Sequence, residues 1–130
     1  MSTNILEEIS RRKVFCDGGM GSLLQAKGLK AGELPETWNL LHPEILKEIH
    51  GSYLEAGCDI VTTNTFGANR LKYPAGGDFD LKAIIKAAVE NARWAVKKAG
   101  KGFVALDLGP TGKLLKPLGD LDFDDAYHIY

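Results

Sequence analysis

Three segments that begin apolar or β-branched and turn polar and glycine-rich at their C-terminal ends, separated by helical stretches, predict an α/β protein with parallel strands. The strand-plus-helix units take roughly 45 residues each, a length that fits an eight-fold (β/α) barrel with inserted loops. The expected architecture is therefore the N-terminal part, about three βα units, of a (β/α)8 TIM barrel, truncated. Three units cannot close a barrel, so one strand edge and much apolar helix surface should stand open. The chain, residues 1–130, is read as the N-terminal portion of one barrel domain in a longer polypeptide. The alternative is a free-standing three-stranded domain completed by oligomerisation, because parallel sheets need both faces covered.

The elements follow in order. Residues 1–13 carry Glu7, Glu8, Arg11, Arg12 and Lys13 around Ile5, Leu6 and Ile9, an amphipathic lead-in without the apolar core of a signal peptide. Val14-Phe15-Cys16 is the first strand and passes into Asp17-Gly18-Gly19-Met20-Gly21. Residues 21–27 suit a short helix with Leu23 and Leu24 inward, ended by Gly28. Residues 29–41 read as a long irregular loop, a kind more often functional or lid-like than idle. Pro43 suits a first helical position, and Ile45, Leu46, Ile49, Tyr53 and Leu54 share one apolar face up to Gly57. Gly51 inside that helix costs about 1 kcal/mol relative to alanine, so close packing is expected there.

The stretch from Asp59 to Gly67 organises the rest: a buried strand that turns polar at Asn64, Thr65 and Phe66. Residues 67–77 form a second loop, with Arg70, Lys72 and Tyr73 as ligand or surface residues. Leu81, Ile84, Ile85, Ala88, Val89, Ala92, Ala95, Val96 and Ala99 then recur at three and four residues on one helical stripe. Asp78 and Asp80 precede it, Lys97 and Lys98 end it, and Gly100 closes it, as the helix dipole and C-cap chemistry favour. The third strand covers residues 103–108, Pro110-Thr111-Gly112 makes a rigid turn, and Asp122 is the expected N-cap of a last helix.

Composition narrows the function only by exclusion. An apolar fraction of 45%, a charged fraction of 25% and a net charge of −1 carry no footprint for nucleic acid or an anionic membrane. No apolar run approaches the roughly 20 residues that span a bilayer. Two cysteines, Cys16 and Cys58, make no disulfide framework; they are expected to be buried thiols in a reducing cytoplasm. His42, His50 and His128 have no metal-ligand spacing and are expected at surface or capping positions, with Glu48, Glu55 and Glu90 on solvated helix faces. No Ser/His/Asp or Cys/His arrangement stands out.

The chemistry-bearing positions cluster at strand ends, where parallel α/β folds bind ligands. Gly18-Gly19-Met20-Gly21 is no dinucleotide fingerprint: a third glycine is missing, and Asp17 beside the cluster would repel a pyrophosphate. The glycines let the backbone approach a small ligand, while the Asp17 carboxylate either binds an ammonium group or caps the short helix that follows. On the second strand Ile60, Thr62 and Asn64 face one side and Val61, Thr63 and Thr65 the other. The threonines also suit a strand and Asn64 a turn without any function. Phe66 is either a pocket wall or a core cover.

Together, and in this order, Asp17-Gly18-Gly19-Met20-Gly21, Thr63-Asn64-Thr65-Phe66-Gly67 and Gly109-Pro110-Thr111-Gly112 resemble the homocysteine S-methyltransferase family. The likeness runs through Glu55-Ala56-Gly57-Cys58-Asp59-Ile60 and looks strongest toward the homocysteine-binding barrel of the cobalamin-dependent branch. The resemblance implies a barrel that binds homocysteine at its top face and activates the thiol on zinc for methyl transfer, with cobalamin or folate linked to the methyl donor. It implies that Asp17 holds the substrate amine, and that Gly18, Gly19, Asn64, Thr65 and Phe66 shape the pocket. Gly67 stands where betaine-dependent relatives carry an aromatic residue, which leans toward the cobalamin or folate branch. The family's zinc is held by one isolated and two adjacent cysteines in the later half of the barrel, a pattern this chain lacks. The resemblance thus implies part of a substrate pocket here, no metal site, and no methyl transfer by these residues alone. The remainder of the barrel or another chain is the expected partner. Two rivals stay open: a non-catalytic small-molecule binding module, and a different barrel enzyme acting on a phosphorylated substrate.

Overall fold

The computed structural model describes residues 4–130 of the chain. Helices α1 (Ile5–Arg11), α2 (Gly21–Ala26), α3 (Trp38–Leu41), α4 (Pro43–Glu55), α5 (Leu81–Ala99) and α6 (Phe123–Ile129) accompany two parallel strands, β1 (Ile60–Thr62) and β2 (Phe103–Ala105). A 3-10 turn at Pro35–Thr37 leads into α3. β1 pairs with β2 in the register Ile60↔Phe103, Val61↔Val104 and Thr62↔Ala105. On its other side β1 takes a single parallel bridge, Cys16↔Ile60. The three strand-like segments therefore stand side by side in chain order with β1 in the centre, and all of them point their C-terminal ends the same way.

Each regular element is shorter than the sequence suggests at the strand ends. The second strand stops at Thr62, and the third at Ala105. Beyond Thr62 the backbone turns on itself, with Thr65 N–H donating to Thr63 O and Ala68 N–H to Thr65 O. Among the described residues the first segment makes its one bridge to β1 and pairs with no other strand, and Cys16 is exposed. The expectation of two buried thiols is corrected at that position; Cys58 alone is buried.

α5 forms as its stripe and caps dictate. The Asp80 carboxylate accepts from Ala83 N–H at 3.0 Å, and Gly100 closes the helix in the left-handed conformation with Lys97 and Lys98 in the last turn. It buries Ile84, Ala88, Asn91, Ala92 and Ala95, whose small alanines let α4 lie close alongside. α4 contributes Leu46, Ile49, His50 and Leu54. One core cluster gathers Leu24, Leu29, Trp38, Leu46 and Ile49; a second gathers Leu54, Cys58, Val61, Ala92 and Ala95 beneath β1. Tyr53 packs against both.

Two further expectations are corrected. Gly51 is not closely packed: a side chain built there would meet open space, because it faces an outer groove between α4 and α5 that Trp94, Lys47 and Lys98 line. His50 is fully buried rather than at the surface, since it falls four residues after Leu46 and four before Leu54 on the inward stripe. The apolar side of α1 is not covered, with Leu6 and Ile9 exposed. That segment is held instead by Arg12, whose guanidinium donates to both Asp59 oxygens at 3.0 and 2.9 Å and to Glu8 at 2.8 Å. Asp122 takes the N-cap position of α6, but its carboxylate pairs with Lys116 and makes no cap bond. The part of the lead-in at residues 1–3 lies outside the described residues. Phe15, Leu106, Leu108, Leu114, Leu118, Phe123 and Tyr127 are exposed, and of these only Phe123 and Tyr127 lie on a helix.

Candidate functional site

A cavity of about 440 Å³ opens at the C-terminal ends of the three parallel segments. From the first segment come Cys16, Asp17 and Gly18; from the end of β1 come Thr62, Thr63, Asn64, Thr65 and Phe66; Asp107 follows β2. The far wall is Pro35 and Glu36, and Lys72 stands at the rim. Its volume lies in the range of small-molecule sites.

Asp17 is tied to β1. Its Oδ2 accepts from Thr62 N–H and its Oδ1 from the Thr62 hydroxyl, both at 2.8 Å. It does not cap α2, whose N-cap position is Met20 without a side-chain bond. Two acceptor bonds leave each carboxylate oxygen further lone-pair capacity toward the cavity. Gly18 packs on the Tyr53 ring, where an added Cβ would come within 3.0 Å of the phenolic oxygen. Tyr53 O–H donates to Gly19 O at 2.7 Å, and Gly19 lies outside the lining. The glycine pair thus lets the loop close over Tyr53.

The floor is stitched by hydroxyls. Asp107 N–H donates to Thr63 Oγ1 at 3.1 Å, Thr65 Oγ1 donates to Asp107 O at 2.8 Å, and the two threonine oxygens are 2.7 Å apart. With the Thr65 hydrogen committed to Asp107, the Thr63 hydroxyl must be the donor between them. The ring of bonds fixes the end of β1 to the end of β2. Strand alternation holds through Val61, Thr62 and Thr63 and ends at Asn64, which is buried although its neighbours Thr63 and Thr65 are buried too. Asn64 is buried because its Nδ2 donates to Pro35 O at 2.9 Å and its carbonyl accepts from Asn39 Nδ2 at 2.7 Å. Phe66 is largely exposed at the rim, a wall and not a core cover.

Residues 29–41 turn out to be ordered by polar groups that the sequence reading did not single out. Glu36 is 3% exposed; its Oε1 accepts from Gly67 N–H at 2.6 Å and its Oε2 from Tyr73 O–H at 2.9 Å. Burial and the adjoining Glu36 charge push the Tyr73 phenol well above its ordinary pKa, so it stays a donor. Asn39 Nδ2 also donates to Glu36 O, and Asn91 Nδ2 on α5 donates to Asn39 O. Of the loop residues singled out earlier, Lys72 lines the cavity, Tyr73 is buried against Glu36, and Arg70 sits in a separate depression with Pro74 and Phe79. On α4, neither ring nitrogen of His50 has a hydrogen-bond partner among the described residues, and burial holds its pKa down to about 4.

The family model described as homocysteine S-methyltransferase matches residues 14–130. The chain belongs to the homocysteine S-methyltransferase family. Relatives of this chain include a methionine synthase of Mycobacterium tuberculosis, 34% identical over 142 aligned positions that cover 96% of this chain. A methionine synthase of Mycobacterium leprae is 31% identical with the same coverage of this chain. The chain spans only 12% and 11% of the lengths of these two relatives. Among solved structures, the homocysteine methyltransferase MmuM of Escherichia coli in its metallated form superposes with a TM-score of 0.68 at 28% identity, over 82% of this chain and 41% of that one. Its oxidised form gives 0.70 at 28% identity, over 80% and 40%. Residues of the first two strand-end motifs meet in the cavity, whereas Gly109-Pro110-Thr111-Gly112 lies outside its lining.

Among the described residues, no group of three His, Cys, Asp or Glu side chains is arranged to hold a metal ion. The zinc implied by the resemblance therefore finds no ligand set on them. No helix of the described residues is long and apolar enough to cross a membrane.

Proposed function

We propose that residues 1–130 form the N-terminal portion of a (β/α)8 barrel and supply one side of the homocysteine pocket in an enzyme that methylates homocysteine to methionine. The observation that carries this reading is the joining of Asp17, Gly18, Asn64, Thr65 and Phe66 around one cavity at the strand ends, in a chain of this family. In the reaction the substrate sulfur loses its proton and attacks the methyl carbon of the donor, so that a sulfur–carbon bond forms as the donor–carbon bond breaks. This chain binds and orients. Asp17, held by Thr62, presents acceptor lone pairs to the substrate ammonium. Phe66 offers an apolar wall, and Asn64 and Thr65 hold the floor through their bonds to Pro35 and Asp107.

The metal ligands, the methyl donor's site, with cobalamin or folate, and the remaining strands belong to the rest of the barrel or to another chain. Two free cysteines suit a cytoplasmic enzyme. Calorimetric titration of the complete polypeptide with homocysteine, with methionine formation followed in parallel, tests the reading. Binding with turnover supports it; binding that never leads to methionine would favour a non-catalytic module, and no binding at all would remove homocysteine as the ligand.

A further inference from the structure

Gly67 is glycine in a specific setting. A Cβ built there would lie 2.5 Å from Glu36 Oε1 and 2.8 Å from Lys72 Nζ. Any larger residue would displace the carboxyl group from the position in which it receives the Gly67 N–H. The Gly67 amide directly follows Phe66, the cavity's apolar wall, and Lys72 lies at the same rim. Glu36 belongs to the opposite wall, 31 residues away in sequence. Its burial is supported on every polar atom the structure pairs: Oε1 by Gly67, Oε2 by Tyr73, and its carbonyl by Asn39. A buried carboxyl group so placed is costly unless its partners are fixed, and in turn it fixes them.

We propose that Glu36 is a positioning residue of the substrate pocket: its carboxyl group latches the wall at residues 35–37 to the Gly67 amide and sets where Phe66 and Lys72 stand over Asp17. The carboxyl latch ties the wall to the segment after Phe66, so its loss frees the wall on that side, while Asn64 still holds Pro35 and the Thr63, Thr65 and Asp107 bonds still join the ends of β1 and β2. Lys72 is the only lysine or arginine among the lining residues, and it faces a site that also holds the Asp17 and Asp107 side chains. An α-amino acid carries both an ammonium and a carboxylate group. The latch keeps the single cation at a set distance from Asp17, and thereby favours ligands with their two charges at that separation. This inference rests on the homocysteine reading.

The test uses the complete polypeptide with three variants, Glu36→Ala, Glu36→Gln and Tyr73→Phe. Glutamine retains a carbonyl to accept the Gly67 N–H, and its amide can donate to the Tyr73 oxygen. The expected result is a rise in the homocysteine KM on the order of tenfold for Glu36→Ala with kcat little changed, restored to near wild type by Glu36→Gln. Tyr73→Phe, which spares the Gly67 bond, should fall between them. A KM for Glu36→Ala equal to wild type, or Glu36→Gln no better than Glu36→Ala, overturns the latch. Amide hydrogen exchange at Gly67 gives a ligand-free readout, expected to speed up at least tenfold in Glu36→Ala and not in Glu36→Gln. Unchanged exchange overturns the latch even if the wild type proves not to bind homocysteine, whereas absent wild-type binding with the expected exchange pattern overturns only the substrate. Should Glu36→Ala not fold, the comparison of Glu36→Gln with Tyr73→Phe in both assays decides the same question.

Discussion

Asp17 and Thr62 are joined by two hydrogen bonds of 2.8 Å, one to the backbone N–H and one to the hydroxyl of the same residue. The acid after the first segment thus belongs mechanically to the second strand. A substrate held by Asp17 would be positioned by both.

The pairing allows the structural role of Asp17 to be tested apart from its proposed binding role. In Asp17→Asn the amide carbonyl can accept from Thr62 N–H while the amide N–H₂ donates to the Thr62 hydroxyl oxygen, so stability should stay within about 1 kcal/mol of wild type. Affinity for homocysteine should nevertheless drop tenfold or more, because the charge that attracts the ammonium is gone. Asp17→Ala should lose both affinity and about 1–3 kcal/mol of stability. Urea denaturation and calorimetric titration measured side by side check this; equal affinities for Asp17→Asn and wild type would count against the ammonium role.

Asn39 offers a contrast between loss and inversion of a donor. Its Nδ2 serves the carbonyls of both Glu36 and Asn64. Asn39→Ala leaves two buried carbonyls with one partner fewer, at a cost of about 1–3 kcal/mol. Asn39→Asp turns the donor into a buried acceptor facing those carbonyls and should cost more than the alanine variant. Denaturant midpoints of the two variants test the order.

His50 sets an acid limit on stability. Burial lowers its pKa from 6.5 to about 4, against some upward pull from Asp17. Above about pH 6.5 the ring is neutral in both folded and unfolded chains, and His50 leaves stability independent of pH. As pH falls below that value the unfolded chain takes up a proton that the folded chain refuses, so stability declines until about pH 4. The full loss is about 3 kcal/mol. His50→Leu should flatten the profile between these limits in pH-dependent urea melts, and an unchanged slope would show that other groups govern it.

The thiols should differ in reactivity. Cys16 is exposed and Cys58 is buried, with burial and the Asp17 charge raising the Cys58 pKa. Mass spectrometry after brief iodoacetamide treatment of the folded 130-residue chain should find Cys16 labelled and Cys58 intact, with both labelled in denaturant.

What the sequence reveals and what it conceals divide along the range of the interactions. α5 is legible because its stripe, the Asp80 cap and the Gly100 terminus are all local features. The cavity is legible because its motifs sit at strand ends, where the fold class places ligands. Glu36 and Asn39 are not, because a buried polar residue in an aperiodic loop is defined by partners such as Gly67, Tyr73 and Asn64, which lie 25 to 37 residues away. The faint signals were Pro35, which starts the turn, and Gly67, which lacks a side chain in a tight place. His50 has a clearer signal that residue type obscures: its four-residue spacing from Leu46 and Leu54 puts it inside, whatever its polarity.

The closed ring through Thr63, Thr65 and Asp107 uses up every hydroxyl hydrogen on the floor that Thr62 has not already given to Asp17. That floor is rich in lone pairs and has no hydroxyl proton to lend. Its hydroxyls offer lone pairs to a guest that brings hydrogens of its own, as a protonated amine does, while an anionic group must find its donors elsewhere along the lining, at Lys72 for one. The fold's own stitching thereby sorts ligands by which end enters first.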